Sequence, residues 1–131
     1  MPAAPLPPEV LAFLAKPNPA VVASLRPDGS PHSVPTWYDI EPDGLVLVNM
    51  DATRLRLSFM RADRRISLTV LDEATWYTHV SLLGRVVLIE DDSDLVDIDR
   101  LARRYTGSPF RNRDAERVSA WLEPERWHGW S

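Results

Sequence analysis

The sequence predicts a mainly β protein with short helices, its antiparallel strands closing into one small barrel. Three observations carry that reading. Two Pro-Asp-Gly reversals, Pro27-Asp28-Gly29 and Pro42-Asp43-Gly44, divide a stretch of strand-like residues into a β-meander. Apolar runs such as Leu45–Met50 have the length of strands and are bounded by turn residues. Helices are too few for repeated strand–helix–strand units, so hairpin-linked strands and a barrel are expected. At 131 residues the chain has the length of one domain, 1–131, with one core.

The elements follow in order. Leu6–Leu14 reads as a short helix, because Pro7 and Pro8 fall in a first turn, where a missing N–H is tolerated, and Leu6, Val10, Leu11 and Leu14 recur at helical spacing. Pro17 and Pro19 end it. Ala20–Leu25 is the first strand, His32–Ile40 a loosely alternating second, and Leu45–Met50 the third. Asp51, Ala52 and Thr53 are placed to cap a helix over Arg54–Arg61, with Leu55 and Phe59 on one face. Ile66, Leu68 and Val70 alternate through a strand from Arg65 to Leu71. Trp76–Glu90 reads as one long strand with a bulge or bend at Gly84, the kind of residue that lets a small sheet curl. Asp91, Asp92 and Ser93 cap a helix over Asp94–Tyr105, with Leu95, Ile98, Leu101, Ala102 and Tyr105 inward and Gly107 as its stop. Arg117–Trp127 is the last strand.

Composition removes several function classes. The absence of cysteine excludes disulfide scaffolds, thiolate metal sites and cysteine nucleophiles. A net charge of −4 argues against a nucleic-acid binder, which carries a basic face. No apolar run is long enough to cross a bilayer, and Met1–Pro5 has no basic stretch before an apolar core, so neither a membrane location nor secretion is expected and the chain reads as cytoplasmic. Five tryptophans are more than so small a core easily buries, which points to an interface or a flat aromatic ligand.

His32, His79 and His128 are too widely spaced for a local metal set. The acidic run from Glu90 to Asp99 lacks the central glycine and terminal glutamate of a calcium loop, and acidic residues at a helix start are favourable through the dipole. Neither a nucleophile elbow nor a Gly-rich phosphate loop is present. A late basic cluster, Arg100, Arg103, Arg104, Arg111, Arg113 and Arg117, is either a solvated face or a contact for an anionic ligand tail. The junction from Asn49 to Arg61 is more informative. There a strand gives way to a helix whose start carries Thr53, Arg54 and Arg56, a hydroxyl and two guanidinium groups beside free N–H groups, which suits a phosphate.

Val34-Pro35-Thr36-Trp37-Tyr38 before an acidic Pro-Asp-Gly turn, and the segment Arg56–Leu68, resemble the pyridoxamine 5′-phosphate oxidase-like split β-barrel superfamily. Gly84-Arg85-Val86, Arg104-Tyr105-Thr106-Gly107 and the closing Arg126-Trp127-His128-Gly129-Trp130 are similar to its actinobacterial branch, which includes proteins using the deazaflavin coenzyme F420 in place of FMN. The resemblance runs from Leu6 to Trp130 and rests on the order and spacing of these segments. The chain departs from the pattern where Arg56 replaces the phosphate-binding lysine, Phe59 an asparagine, and Arg64 a proline. Arginine keeps the charge but offers a planar fork in place of a point charge.

The resemblance implies an antiparallel split β-barrel homodimer with two cofactor sites at the subunit interface and coenzyme F420, or alternatively FMN, as cofactor. It implies an oxidoreductase that passes hydride to a small conjugated substrate. The alternatives are an FMN-dependent oxidase on the same barrel and a non-catalytic carrier. Carried over, Pro35, Thr36, Trp37 and Tyr38 line the ring system. Asn49, Met50, Asp51 and Thr53 run beside the ribityl chain, and Arg54 and Arg56 hold the phosphate. Tyr77 and His79 face the ring or the substrate, from the same or the second subunit, and Tyr38 and His79 are the candidate proton donors. Hydride chemistry belongs to the cofactor, so a chain without a nucleophile or a metal cluster is expected.

Overall fold

The structure is a computed structural model that describes residues 6–130. Met1–Pro5, the segment on which the expectation about secretion rests, lie outside the described residues. The elements in chain order are α1 (Pro8–Leu14), β1 (Ala20–Leu25), β2 (Pro31–Thr36), β3 (Asp39–Ile40), β4 (Val46–Asp51), α2 (Leu55–Ala62), β5 (Arg65–Leu71), β6 (His79–Asp91), α3 (Val96–Thr106) and β7 (Arg117–Trp130).

One sheet of seven strands runs in the order β2-β1-β5-β6-β7-β4-β3, every pair antiparallel. Its topology forces it to curl. β2 and β3 are at opposite ends of the sheet, yet only Trp37 and Tyr38 separate them in sequence. Three residue steps reach at most about 11 Å, so the two edges must face each other across a gap of that order. This is the split of a half-open barrel, and the mainly β, antiparallel split-barrel expectation is met.

Alternation along the strands fills the barrel. Ala20 and Val22 of β1, Ile66, Leu68 and Val70 of β5, Val80, Leu82 and Val86 of β6 and Val118, Ala120 and Leu122 of β7 are buried in one cluster. β4 is buried along Val46–Met50. Val46, Val48 and Met50 enter the cluster, while Leu47 and Asn49 alternate to the face that α3 covers. Gly84 is the predicted irregularity: the β6–β7 register shifts there, and a Cβ would overlap the Glu123 carbonyl of β7.

Several local expectations change. α2 starts at Leu55 and buries Leu57 and Met60, three positions apart; Leu55 is 67% exposed and Phe59 sits edge-on to His32 at 5.5 Å. Asp51 does not cap α2, because its Oδ1 accepts from the Thr53 N–H at 2.9 Å and from the Thr53 hydroxyl. Trp76 and Tyr77 belong to a turn closed by the Thr78 N–H on the Thr75 carbonyl, and β6 begins only at His79. α3 begins at Val96, since Leu95 is held at φ 59°. Of the three capping candidates Asp92 does the work, accepting from the Asp97 and Ile98 N–H groups at 3.1 and 2.8 Å. β7 continues beyond Trp127 to Trp130.

Candidate functional site

A cleft of about 630 Å³ lies at the split. Pro35 and Thr36 from the end of β2, Ala20 from β1, and Pro17 and Pro19 from the α1–β1 connection line one side. Asn49 from β4, Arg56 from α2, Arg117 at the start of β7, Phe110 from the α3–β7 connection, and Ile98, Leu101 and Tyr105 from α3 line the rest, with Trp37 in the crossing segment and Glu73 from the β5–β6 turn. Trp37 and Tyr105 stack at 5.5 Å between ring centres with planes 8° apart, a flat aromatic wall. Such a concave, mostly apolar space with a few convergent polar groups is the usual form of a small-molecule site.

Two of the polar groups, Arg56 and Arg117, are cationic, beside Thr36, Asn49 and the acidic Glu73. Arg56 and Arg117 are half-buried, and among the described residues neither forms an ion pair within 4 Å. Burial lowers the basicity of Arg56 first, and the charges of Arg54 and Arg117 lower it further. Burial acts likewise on Arg117, where Arg54 adds to the effect and Asp51 and Asp92 oppose it. Three guanidinium groups thus stand close enough to repel one another in a partly desolvated place. An anion between them removes both costs, and their forks suit a phosphate or carboxylate. The residues present therefore fit a flat cofactor with a phosphate-bearing tail.

Arg117 is aimed by its surroundings. Its Nε–H donates to Asn49 Oδ1 at 2.9 Å, and its guanidinium carbon lies 4.8 Å from the centre of the Phe110 ring. Phe110 is fixed in turn, its N–H on Asp99 Oδ1 at 3.0 Å and its carbonyl accepting from Arg113 at 2.9 Å.

Of the residues expected at the site, Pro35, Thr36, Trp37, Asn49 and Arg56 meet in the cleft. Arg54 stands beside them as a charge. Asp51 and Thr53 bond to each other on the loop before α2. Met50 is fully buried in the barrel core, because its register on β4 turns it inward. Tyr38 is fully buried too; its hydroxyl lies 2.9 Å from both the Leu14 and the Lys16 carbonyl, and desolvation raises its pKa. It serves packing and a structural hydrogen bond, and does not reach the cleft. Tyr77 stacks on Trp76 at 4.3 Å in the exposed turn. His79 lines a separate cavity with Glu9, Phe13 and Trp127, its Nδ1 2.8 Å from the Tyr77 carbonyl and its ring edge-on to His128.

The sequence does not mark Arg117, Tyr105 or Phe110 as site residues, although Arg117 belongs to the late basic cluster. That cluster divides in the structure. Arg100 pairs with Asp39 and Glu41, Arg104 binds backbone carbonyls, and Arg113 pairs with Asp99. Only Arg117 of the six turns into the cleft.

The fold has close counterparts among solved structures. A protein described as an F420 reductase superposes with a TM-score of 0.84 at 21% identity, over 94% of this chain and 98% of the other. A conserved hypothetical protein from Mycobacterium tuberculosis gives 0.75 at 24% identity, over 98% and 86%. General Stress Protein 26 from Bacillus anthracis gives 0.69 at 16% identity, over 93% and 91%. At these identities the likeness is one of fold. No curated protein matches the sequence. The sequence itself matches the profile of the pyridoxamine 5′-phosphate oxidase family across residues 6–131, and the chain belongs to that family.

Proposed function

We propose that this protein is an oxidoreductase that binds coenzyme F420 in the cleft at the split and passes hydride to a small conjugated substrate. The observation that carries the reading is the convergence of Arg56 and Arg117, both without an acidic partner, on a cleft with a flat aromatic wall. The likeness in fold to an F420 reductase supports the choice of deazaflavin over FMN.

When bound, the cofactor supplies the hydride. The chain supplies placement. Arg56 and Arg117 hold the phosphate, and Arg54 adds to the local positive potential. Pro35, Thr36 and Trp37 would offer the ring one side of the cleft, with the Thr36 hydroxyl donating to the Trp37 carbonyl at 2.9 Å. Tyr105 backs Trp37 in the same aromatic wall, and Ile98 and Leu101 of α3 add apolar lining that would exclude water. Substrate and ring must then sit within about 3–3.5 Å for transfer, which a rigid cleft achieves by orientation. The proton comes from solvent in this reading, since Tyr38 is sealed in the core. Tyr77 and His79 lie outside this chain's cleft, so a part for either requires the second subunit of a homodimer. The exposed Leu83, Val87 and Leu88 of β6 and Trp127 of β7 are apolar surface that such a dimer would cover.

The test is a fluorescence titration of cofactor-stripped protein with coenzyme F420 and, in parallel, with FMN. Selective deazaflavin binding, followed by oxidation of the reduced coenzyme in the presence of enones or quinones, is the expected result. FMN preference would move the protein to the flavin oxidoreductases. Binding without turnover of any acceptor would make it a carrier, and binding of neither would overturn the proposal.

A further inference from the structure

The cleft contains one neutral polar side chain whose hydrogen bonds are completely directed. Asn49 sits at 5% exposure on β4, facing α3. Its Nδ2 lies 3.2 Å from Asp92 Oδ2 and 2.9 Å from Ser119 Oγ, and its Oδ1 is 2.9 Å from Arg117 Nε. The Ser119 hydroxyl lies 2.7 Å from Asp97 Oδ2. A carboxylate accepts only, so the Ser119 proton goes to Asp97 and its oxygen must accept from Asn49. Asp92 accepts the other amide hydrogen. Turning the amide over would set its oxygen against both acceptors, and only one orientation remains. That orientation leaves the Asn49 oxygen for a donor, and Arg117 supplies it.

We infer that Asn49 is a positioning residue for anion recognition, fixing Arg117 by its Nε–H so that both terminal NH₂ groups face the cleft as a fork. The inference rests on the cofactor reading above, and it assigns Asn49 no contact with the ribityl chain. Two carboxylates set the amide, the amide sets the guanidinium, and Phe110 covers one of its faces. Arg117 is thereby held without an acid at its fork. An acid in place of Asn49 would neutralise the charge the anion needs. The neutral amide orients it and leaves the charge free. Asp92 and Asp97 carry the compensating charge one residue further back.

The experiment compares cofactor pairs with and without the phosphate: FMN against riboflavin, which differ by that group alone, and coenzyme F420 against its deazaflavin chromophore, which lacks the phosphate and the tail it carries. In the wild type the phosphorylated member binds more tightly. In Asn49→Ala that preference falls by about tenfold, the size of a lost hydrogen bond to a charged group, while affinity for the phosphate-free member stays within about twofold. An equal loss for both members, or an undiminished preference, overturns the inference. Asn49→Ser, which keeps a polar group near Asp92 but does not reach Arg117, serves if the alanine variant fails to fold. If the wild type binds neither pair, the cofactor reading fails and the inference is judged by nuclear magnetic resonance with inorganic phosphate. It then requires an Arg117 Nε–H signal that shifts with phosphate in the wild type and is lost on Asn49→Ala. No shift in the wild type overturns it.

Discussion

The indole of Trp37 lies flat on the ring of Tyr105, the centres 5.5 Å apart. Trp37 is in the two-residue segment that spans the split, and Tyr105 is in the last turn of α3, so the stack joins the sheet's crossing point to the helix that covers it. The Tyr105 hydroxyl donates to the Asn18 carbonyl at 2.7 Å and ties in the α1–β1 connection as well. One ring therefore holds three chain segments around the cleft.

Tyr105→Phe separates these contributions. It removes the bond to Asn18 and keeps the stack, for a loss of about 1 kcal/mol in urea unfolding. Tyr105→Leu removes both and loses about 0.5–1.5 kcal/mol more. Equal losses in the two variants would show that the stack contributes nothing to stability.

Arg56→Ala should have opposite effects on the free and the bound protein. Without ligand, removing one of three like charges leaves stability unchanged or raised. With ligand, cofactor affinity falls by about 10- to 100-fold, the worth of one charge-assisted bond. Thermal unfolding with and without added inorganic phosphate reads both: phosphate raises the wild-type midpoint and leaves the variant's unchanged. A variant still protected by phosphate would remove Arg56 from the site.

Much of this arrangement is written locally in the chain. The Pro-Asp-Gly turns, the β1 limits and the inward face of α3 follow from residue types within a few positions of each other. So does the Gly84 bulge. The site is legible only where it too is local, as in the run Pro35-Thr36-Trp37 and the loop leading to Arg56. Arg117 is 61 residues beyond Arg56 and reaches it because β4 and β7 pair, with Asp51 opposite Arg117. Nothing in sequence spacing shows that register. Tyr38 illustrates the converse. It adjoins three residues expected at the cleft, two of them on the open edge strand β2, yet the crossing segment turns it inward where Trp37 turns out. The α2 face differs for a simpler reason: the helix carries two apolar rows, Leu55 with Phe59 and Leu57 with Met60, and the second is the one buried.

Alkaline conditions should report on the buried phenol of Tyr38 and the half-buried phenol of Tyr105. Desolvation raises the pKa of Tyr38, most of all, and of Tyr105 above the ordinary value of 10.0. The folded state then binds more protons than the unfolded state once pH passes that value. Their contribution to stability is complete below about pH 10 and is lost as pH rises beyond it. In a 295 nm absorbance titration, ionisation of Tyr38 should coincide with loss of the folded circular dichroism signal, while the half-buried Tyr105 ionises above the ordinary range without that requirement. Ionisation of Tyr38 with the fold intact would contradict its burial.

Gly84→Ala tests the bulge. The added methyl would overlap the backbone carbonyl of Glu123, and backbone on a paired strand has little room to yield. A loss of at least about 3 kcal/mol, or failure to fold, is expected. A variant of wild-type stability would mean that β6 and β7 can separate locally at no cost.

Arg104 offers the sharpest contrast between a structural and a ligand-binding arginine. It makes four hydrogen bonds and an ion pair: Nε on the Tyr38 carbonyl at 2.9 Å, Nη1 on the Ala15 carbonyl at 2.8 Å, Nη2 on the carbonyls of Leu14 and Lys16 at 3.0 and 2.7 Å, and Nη1 paired with Asp39 at 3.2 Å. Three of those carbonyls lie at the end of α1, where helical C=O groups lack partners within the helix. Arg104→Ala would remove this whole set of bonds, leaving the Tyr38 hydroxyl on the Leu14 and Lys16 carbonyls and Arg100 on Asp39, for a loss of about 3–5 kcal/mol. Arg104→Lys restores the charge but has three donors on one point, so it should recover less than half of that loss. Full recovery by lysine would mean that the charge beside Asp39, and not the planar fork, holds α1 against α3.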